Sequence, residues 1–382
     1  MMSVKGALVI EGHIQGLSNV RSLGELGIPV YVVDCTLCIA KYSKYCNKFF
    51  KCPPFASEAF VPFLMDLARC EGLEGWLVMA SNDHIVEQLS RHKKELQQYY
   101  LIVVPEYDVL ERIVDKWNLV NIAKEAGTHV PSSCDRDSME QACHFNYPVL
   151  IKGCKGLSFY RAYHKKVIRA DNFQHLLQIL KELELEQNFF IQEEIKNTQN
   201  RVVSCTCFAE NGIVKAYWMG VKLREHPIQY GTATLAQSVF YDGILEEAIP
   251  LVKALGYTGV CEIEFMLDER DGLYKLIEIN PRTWLWVGLA KACGVDYAKM
   301  LYHYANQQPQ QYPRNYTVGL KWINCMTDFP YSLVALLKRK LSLKSYWKSF
   351  EGKLIHAVWD RHDIVPGLIM PFLSFHILKH RR

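Results

Sequence analysis

The chain has 382 residues, 49% hydrophobic and 22% charged, an ordinary globular composition with room for two or three domains, which excludes a disordered protein. A net charge of +4, from Lys and Arg scattered along the chain, is too small for a nucleic-acid footprint, and no apolar run reaches the ~20 residues a membrane span needs. Thirteen cysteines, an odd number in a large chain with no signal-peptide pattern before Glu11, predict a reduced, cytoplasmic protein.

From Lys5 the chain reads strand, glycine-bearing turn, helix, strand: Ala7 to Ile10, Gly12 and Gly16, Asn19 to Leu26, then Ile28 to Asp34. This is a βαβ unit of the doubly wound type, and because its glycines do not spell G-x-G-x-x-G they predict a structural role rather than dinucleotide binding. Cys35-Thr-Leu-Cys38, like Cys205-Thr-Cys207 later on, lacks the second pair a zinc site needs and reads as buried, inert thiols. Gly75 to Ala80 is a strand and Ser81 to Glu87 starts a helix; Leu101 to Val104 is a further strand, and a first domain ends near Pro105. Val109 to Ala126 is then one amphipathic helix stopped by Gly127.

Asn146 to Gly153 is a strand whose end carries Lys152 beside Gly153 and Gly156. A lysine closing an apolar strand either meets a buried phosphate or snorkels to solvent. Asn188 to Ile195 is an apolar run ending in Gln192, Glu193 and Glu194. Val202 to Phe208, a turn at Asn211-Gly212, Ile213 to Tyr217 and Gly220 to Pro227 follow. Lys222 and Arg224 share a strand face by period two, where they either grip a triphosphate together or decorate an exposed edge.

Gly259 to Arg282 is a hairpin. Ile263, Phe265 and Leu267 alternate with Glu262, Glu264 and Met266; Leu276, Ile277 and Ile279 flank Glu278; Asp268-Glu-Arg-Asp-Gly272 is the turn. Glu264 and Glu278 then reach one side from neighbouring strands, with Asn280 on the face of Glu278, a hard oxygen set suited to Mg²⁺. The alternative, a solvated strand face, sits poorly with an acid and an amide inside an apolar strand. In the tail, Ile364 to Leu378 followed by Lys379-His-Arg-Arg382, two prolines predict a poor continuous helix, docked on the body in preference to a peripheral contact with an anionic membrane.

Taken in order, these residues resemble the ATP-grasp superfamily, in particular its carboxylate-amine ligases, and Asp271-Gly-Leu-Tyr-Lys-Leu-Ile-Glu278-Ile-Asn280-Pro-Arg282 is especially similar to the D-aspartate ligases and their relatives. The resemblance runs from the opening βαβ unit to about Met300. It implies a mixed α/β and α+β fold: a Rossmann-like pre-ATP-grasp domain over 1–105, then a two-lobed ATP-grasp domain with its N-terminal lobe over 106–190 and its C-terminal, metal-bearing lobe over 191–310, and a C-terminal extension over 311–382. It implies ATP with Mg²⁺, or Mn²⁺ in its place, as cofactors. Lys116 and Lys152 are then assigned to the nucleotide phosphates, and Gln192, Glu193, Glu194 and Ile195 to the adenine hinge. Lys222 and Arg224 are assigned to the phosphates and, with Arg282 on the acyl phosphate or a substrate carboxylate, to catalysis; Glu264, Glu278 and Asn280 are assigned to the metal. The acid that commonly holds the ribose is absent from Lys196 to Arg201, which leaves Glu194 or Gln199 for that place.

The activity this implies joins a small-molecule carboxylate to an amine through an acyl phosphate, with no protein nucleophile and no nucleic-acid partner, and with a homodimer as the assembly considered. Two other readings are an ATP-grasp enzyme with a phosphoryl or carboxyl acceptor, and a binding module without catalysis, against which the full set of Glu264, Glu278 and Asn280 argues. Substrate specificity is expected in the loops around Tyr230-Gly231 and Trp284 to Trp286 and in the first domain.

Overall fold

Short apolar strands separated by helices dictate a covered parallel sheet, and the chain opens with one. In the computed structural model, which describes residues 5–182, 188–197, 202–226 and 231–380, β1 (Ala7–Ile10), β2 (Val30–Asp34), β3 (Lys48–Lys51), β4 (Trp76–Ala80) and β5 (Tyr100–Ile102) pair in parallel in the order β3-β2-β1-β4-β5. The order reverses between β1 and β4, so Glu11 and Ser81 to Asp83 lie at one carboxyl edge. β3 escapes a reading of the sequence because lysines bracket its two phenylalanines. The first helix starts at Ile14 rather than Asn19 and carries Gly16, where a Cβ would stand 2.1 Å from the Glu11 carbonyl oxygen; that glycine serves close packing.

The single helix expected over Val109 to Ala126 is two, Tyr107–Val114 and Lys116–Ala126. Asp115 makes the break: its carboxylate accepts the amides of Trp117 at 3.1 Å and Asn118 at 3.0 Å, capping the second helix and setting Lys116 in its first turn.

A second, antiparallel sheet follows, β6 (Ser133–Asp135), β7 (Val149–Gly153), β8 (Val167–Ala170) and β9 (Phe189–Glu193), in the order β6-β9-β7-β8, with its own core around Ile151, Phe159, Leu176 and Ile191. The third sheet has seven strands: β10 (Val202–Glu210), β11 (Ile213–His226), β12 (Thr232–Ser238), β13 (Gly259–Asp268), β14 (Leu273–Asn280), β15 (Lys321–Ile323) and β16 (Leu354–His356), in the order β14-β13-β10-β11-β12-β15-β16. Residues 311–382 therefore feed two strands into the edge of this sheet before ending in a helix, Val365–His380. That helix runs through both prolines where a poor continuous helix was expected. Pro366 lies in its first turn, where a missing N–H costs nothing, and only Pro371 removes an interior bond.

The parallel sheet with its helices and the third sheet share one core, in which Leu17 and Val20 of the first helix join Trp218, Trp284 and Tyr297. Gln15 donates to the Thr283 carbonyl at 2.6 Å, and Arg21 reaches Asp363 at 2.9 Å. Cys38, Cys205 and Cys207 are buried and Cys35 is half-buried, none of them in a disulfide among the described residues. No helix among the described residues is long and apolar enough to cross a membrane.

Candidate active site

A cleft with a cavity of about 440 Å³ opens between the second and third sheets. Eleven of the twelve residues singled out from the sequence line it: Lys116, Lys152, Gln192, Glu193, Glu194, Ile195, Lys222, Glu264, Glu278, Asn280 and Arg282. The twelfth, Arg224, does not.

One wall of the cleft comes from the hairpin β13–β14. Its turn closes at Gly272, whose φ of 74° is the left-handed region that only glycine enters freely. Glu264 lies directly opposite Glu278, and Glu262 directly opposite Asn280. This alignment depends on a bulge: Phe265 pairs with Leu276, so Ile277 is the extra residue. Without it Glu264 would face Ile277, and Glu278 would turn to the other side of the sheet. With it, Leu276 and Ile279 go into the core while Ile277 and Glu278 line the cleft.

Like charges facing each other across a ladder need counter-ions. Each acid has a lysine: Lys222 Nζ lies 3.1 Å from Glu264 Oε1, and Lys116 Nζ lies 3.3 Å from Glu278 Oε2. Glu262 instead accepts from Ser204 Oγ at 2.7 Å and from Asn280 Nδ2 at 3.2 Å. Burial pushes the Glu264 carboxyl up to about 7 against the pull of Lys222, and burial raises Glu262 as well. Glu278 is held below the usual carboxylate range, first by the Lys116 charge. Burial opposes the charge on Lys222, but Glu264 and Glu262 outweigh it and hold its pKa above the ordinary lysine value.

This donor set fits a hard divalent cation of the Mg²⁺ kind. Two facing carboxylates supply charge, and Asn280, whose amide nitrogen is taken by Glu262, has its oxygen left to offer. The set is incomplete by itself, since among the described residues no group of three or more acidic, His or Cys side chains is placed to hold a metal. That suits Mg²⁺, which keeps waters and takes substrate phosphates as further ligands.

The opposite wall comes from the second sheet. Lys152, at the end of β7, donates to Gln192 Oε1 at 2.6 Å, and Gln192 in turn donates to Ser133 Oγ at 2.9 Å. Burial lowers the Lys152 pKa to about 8, with the Lys116 charge adding to the effect. The segment after Lys152 is a helix from Gly156 to Tyr163, and Gly156 packs beside the Lys116 side chain. In the segment expected as the hinge, Glu193 accepts the Asn146 amide at 2.7 Å and pairs with Arg270 at 3.0 Å, while Glu194 pairs with Arg169 at 2.8 Å. Burial works against the charge on Asp268, yet Arg270 and Lys275 hold its carboxyl far below the usual range, so the hairpin turn and the hinge are one ionic unit. Ile195 remains as the apolar surface of the hinge. Gln199 and Tyr230 lie outside the described residues.

Arg282 crosses to the carboxyl edge of the parallel sheet, where its guanidinium forks onto Asp83 at 2.6 and 3.1 Å. Trp284, Leu285 and Trp286 line the cleft beside it. Sequence reasoning missed Glu262, although it precedes Glu264 by one strand period, and missed Asp83, which stands there as one acid in a helix start.

Arg224 departs from expectation for a local reason. β11 pairs Lys222 with Ala236 but Arg224 with Leu235, a bulge at Leu223 that breaks the period-two relation between the two cations. Arg224 makes a two-pronged bridge to Asp328, 2.8 Å for each arm, against the rings of Tyr346 and Phe350. On that side lies a larger cavity, about 780 Å³, which contains none of the facing acids.

Residues 224–311 match the family model described as the carbamoyl-phosphate synthase L chain, ATP binding domain. A D-aspartate ligase from Enterococcus faecium is 23% identical over 262 residues, 63% of this chain and 62% of that protein, so the chain spans about three-fifths of that relative's length. In solved structures, biotin carboxylase from Campylobacter jejuni in a β,γ-ATP complex superposes with a TM-score of 0.64 at 17% identity over 82% of this chain and 74% of that one. An L-amino acid ligase from Bacillus licheniformis gives 0.58 at 16% identity over 80% and 75%. The chain shares the fold of these solved structures, and in sequence it is similar to a D-aspartate ligase and, over residues 224–311, to the ATP-binding domain of the carbamoyl-phosphate synthase L chain.

Proposed function

We propose that the protein is an ATP- and Mg²⁺-dependent ligase that joins a carboxylate to an amine through an acyl phosphate, acting on an amino acid or peptide-like substrate. The observation that carries this reading is the pair of facing acids, Glu264 and Glu278, each with its own lysine, in a cleft between two sheets. A carboxylate is a poor electrophile, and moving the γ-phosphoryl group onto it creates a leaving group an amine can displace. Bound Mg²⁺ would supply charge neutralisation on the phosphates, held by Glu264, Glu278 and Asn280.

The remaining work falls to this chain's own side chains. Lys116 and Lys152 hold phosphate oxygens, Lys222 meets the transferring group, and the segment Gln192 to Ile195 seats the base. Arg282 is suited to a carboxylate because it already holds one, that of Asp83, in forked geometry. The similarity to a D-aspartate ligase and the shared fold with an L-amino acid ligase support amino acids as the first substrates to try.

ADP release screened over pooled amino acids and short peptides tests the reading, with hydroxylamine as a surrogate amine that should yield a hydroxamate. ADP release that needs bicarbonate and no amine would transfer the protein to the carboxylating branch of the same fold, and nucleotide binding without turnover under any mixture would reduce it to a binding module.

A further inference from the structure

The C-terminal segment leaves apolar side chains in solvent in a regular pattern. On the helix Cys325–Leu337, Phe329, Leu333 and Leu337 recur every four residues; on Leu343–Lys348, Leu343 and Trp347 do so; on the tail helix, Val365, Leu368 and Phe372 form one stripe. These eight side chains are 44% to 76% exposed. The tail docks on the body through Ile369, Met370 and Leu373, so the exposed stripe is a second apolar face left over after docking. Met326 and Met370 line one small cavity, which sets the first and last of the three helices side by side.

Charge is segregated to the same region. Residues 325–382 hold ten Lys and Arg against four Asp and Glu, a surplus of six in a chain whose net charge is +4, so everything before them is net negative. Two of the four acids, Asp328 and Asp363, are buried against Arg224 and Arg21 and do not offset the surface lysines. Lys338, Arg339, Lys340, Lys344 and Lys348 are all exposed, interleaved with the apolar stripes and with Trp347.

We propose that this face rests on an anionic lipid surface, with its apolar stripes in the headgroup boundary and its lysines on lipid phosphates. A second copy of the chain is disfavoured as the occupant because a two-fold contact would set the same lysine cluster against itself. No helix among the described residues is long and apolar enough to cross the bilayer, so the contact proposed is one of lying on it.

Co-sedimentation of the full chain with vesicles tests this, using phosphatidylcholine alone and phosphatidylcholine with roughly 30 mol% phosphatidylglycerol. Pelleting is expected with the anionic vesicles only, and should be lost at roughly 0.5 M salt, where exposed charges are screened. The double variant Leu337→Ser, Phe372→Ser and the charge variant Lys338→Glu, Lys340→Glu should each reduce binding about tenfold or more with melting temperature unchanged, since all four side chains are exposed. Equal, negligible pelleting with both lipids would overturn the proposal. So would a lipid-free dimer that the same substitutions dissociate, which would assign the face to a second copy. Neither readout depends on the ligase reading.

Discussion

Glu278 is the residue at which charge and shape separate most cleanly. Glu278→Gln keeps the side chain's size and place opposite Glu264 but removes one of the two facing charges. Turnover should fall about 100-fold or more, while nucleotide affinity changes much less, as for other losses of charge stabilisation felt mainly in the transition state; ADP release beside calorimetric ATP binding checks this, and a variant that forms hydroxamate at the wild-type rate would refute the metal assignment. Lys152 gives a pH signature. Burial holds its pKa near 8, and an anion in the cleft must raise it. Above about pH 8 the free protein has lost that proton and bound nucleotide restores it, so binding should take up a proton there and weaken as pH rises. Calorimetry in buffers of different ionisation enthalpy reads the uptake, and Lys152→Ala should abolish it.

At the scale of elements, two bulges decide which predictions hold. Alternation on β13 and β14 showed the acids, and Leu276 beside Ile277 broke that alternation in the sequence, so the hairpin bulge left a trace. The bulge at Leu223 left none, because Lys-Leu-Arg reads as perfect period two, and Arg224 was expected in the cleft, which it does not line. The helix break at Asp115 was similarly hidden, since a cap and an interior aspartate look alike without the fold. The bulge makes a testable split. Arg224→Ala leaves the buried Asp328 without its partner and should cost about 3 kcal/mol of stability while ATP affinity survives in the folded fraction. Lys222→Ala should do the reverse, weakening ATP binding more than stability. Denaturant melts paired with nucleotide titrations distinguish the two, and loss of ATP binding in a well-folded Arg224→Ala protein would return Arg224 to the cleft.

Over the whole molecule, ties between distant segments set the frame, and these were the least legible features of all. Asp363 is buried near the C-terminus and accepts from Arg21 at 2.9 Å, Ser43 at 2.7 Å and the Lys44 amide at 2.9 Å, all near the start of the chain. Nothing local in the sequence announces a bond across more than three hundred residues. Asp363→Ala should lower stability by about 3 kcal/mol or more by stranding the Arg21 charge, with the melting temperature as the readout. The cleft, by contrast, is braced by its own ions, Lys116 on Glu278 and Lys222 on Glu264. These pairs make the resting cleft nearly self-neutral, so a phosphate must compete with a carboxylate for each lysine, and a cation must compete with a lysine for each carboxylate. Whichever arrives first frees the groups the other needs. Metal and nucleotide should therefore be reciprocal heterotropic activators of each other's binding, each raising the other's affinity by the same factor, so that ATP titrated with and without Mg²⁺, and Mg²⁺ titrated with and without ATP, close a thermodynamic square whose coupling shrinks when Glu278 becomes Gln.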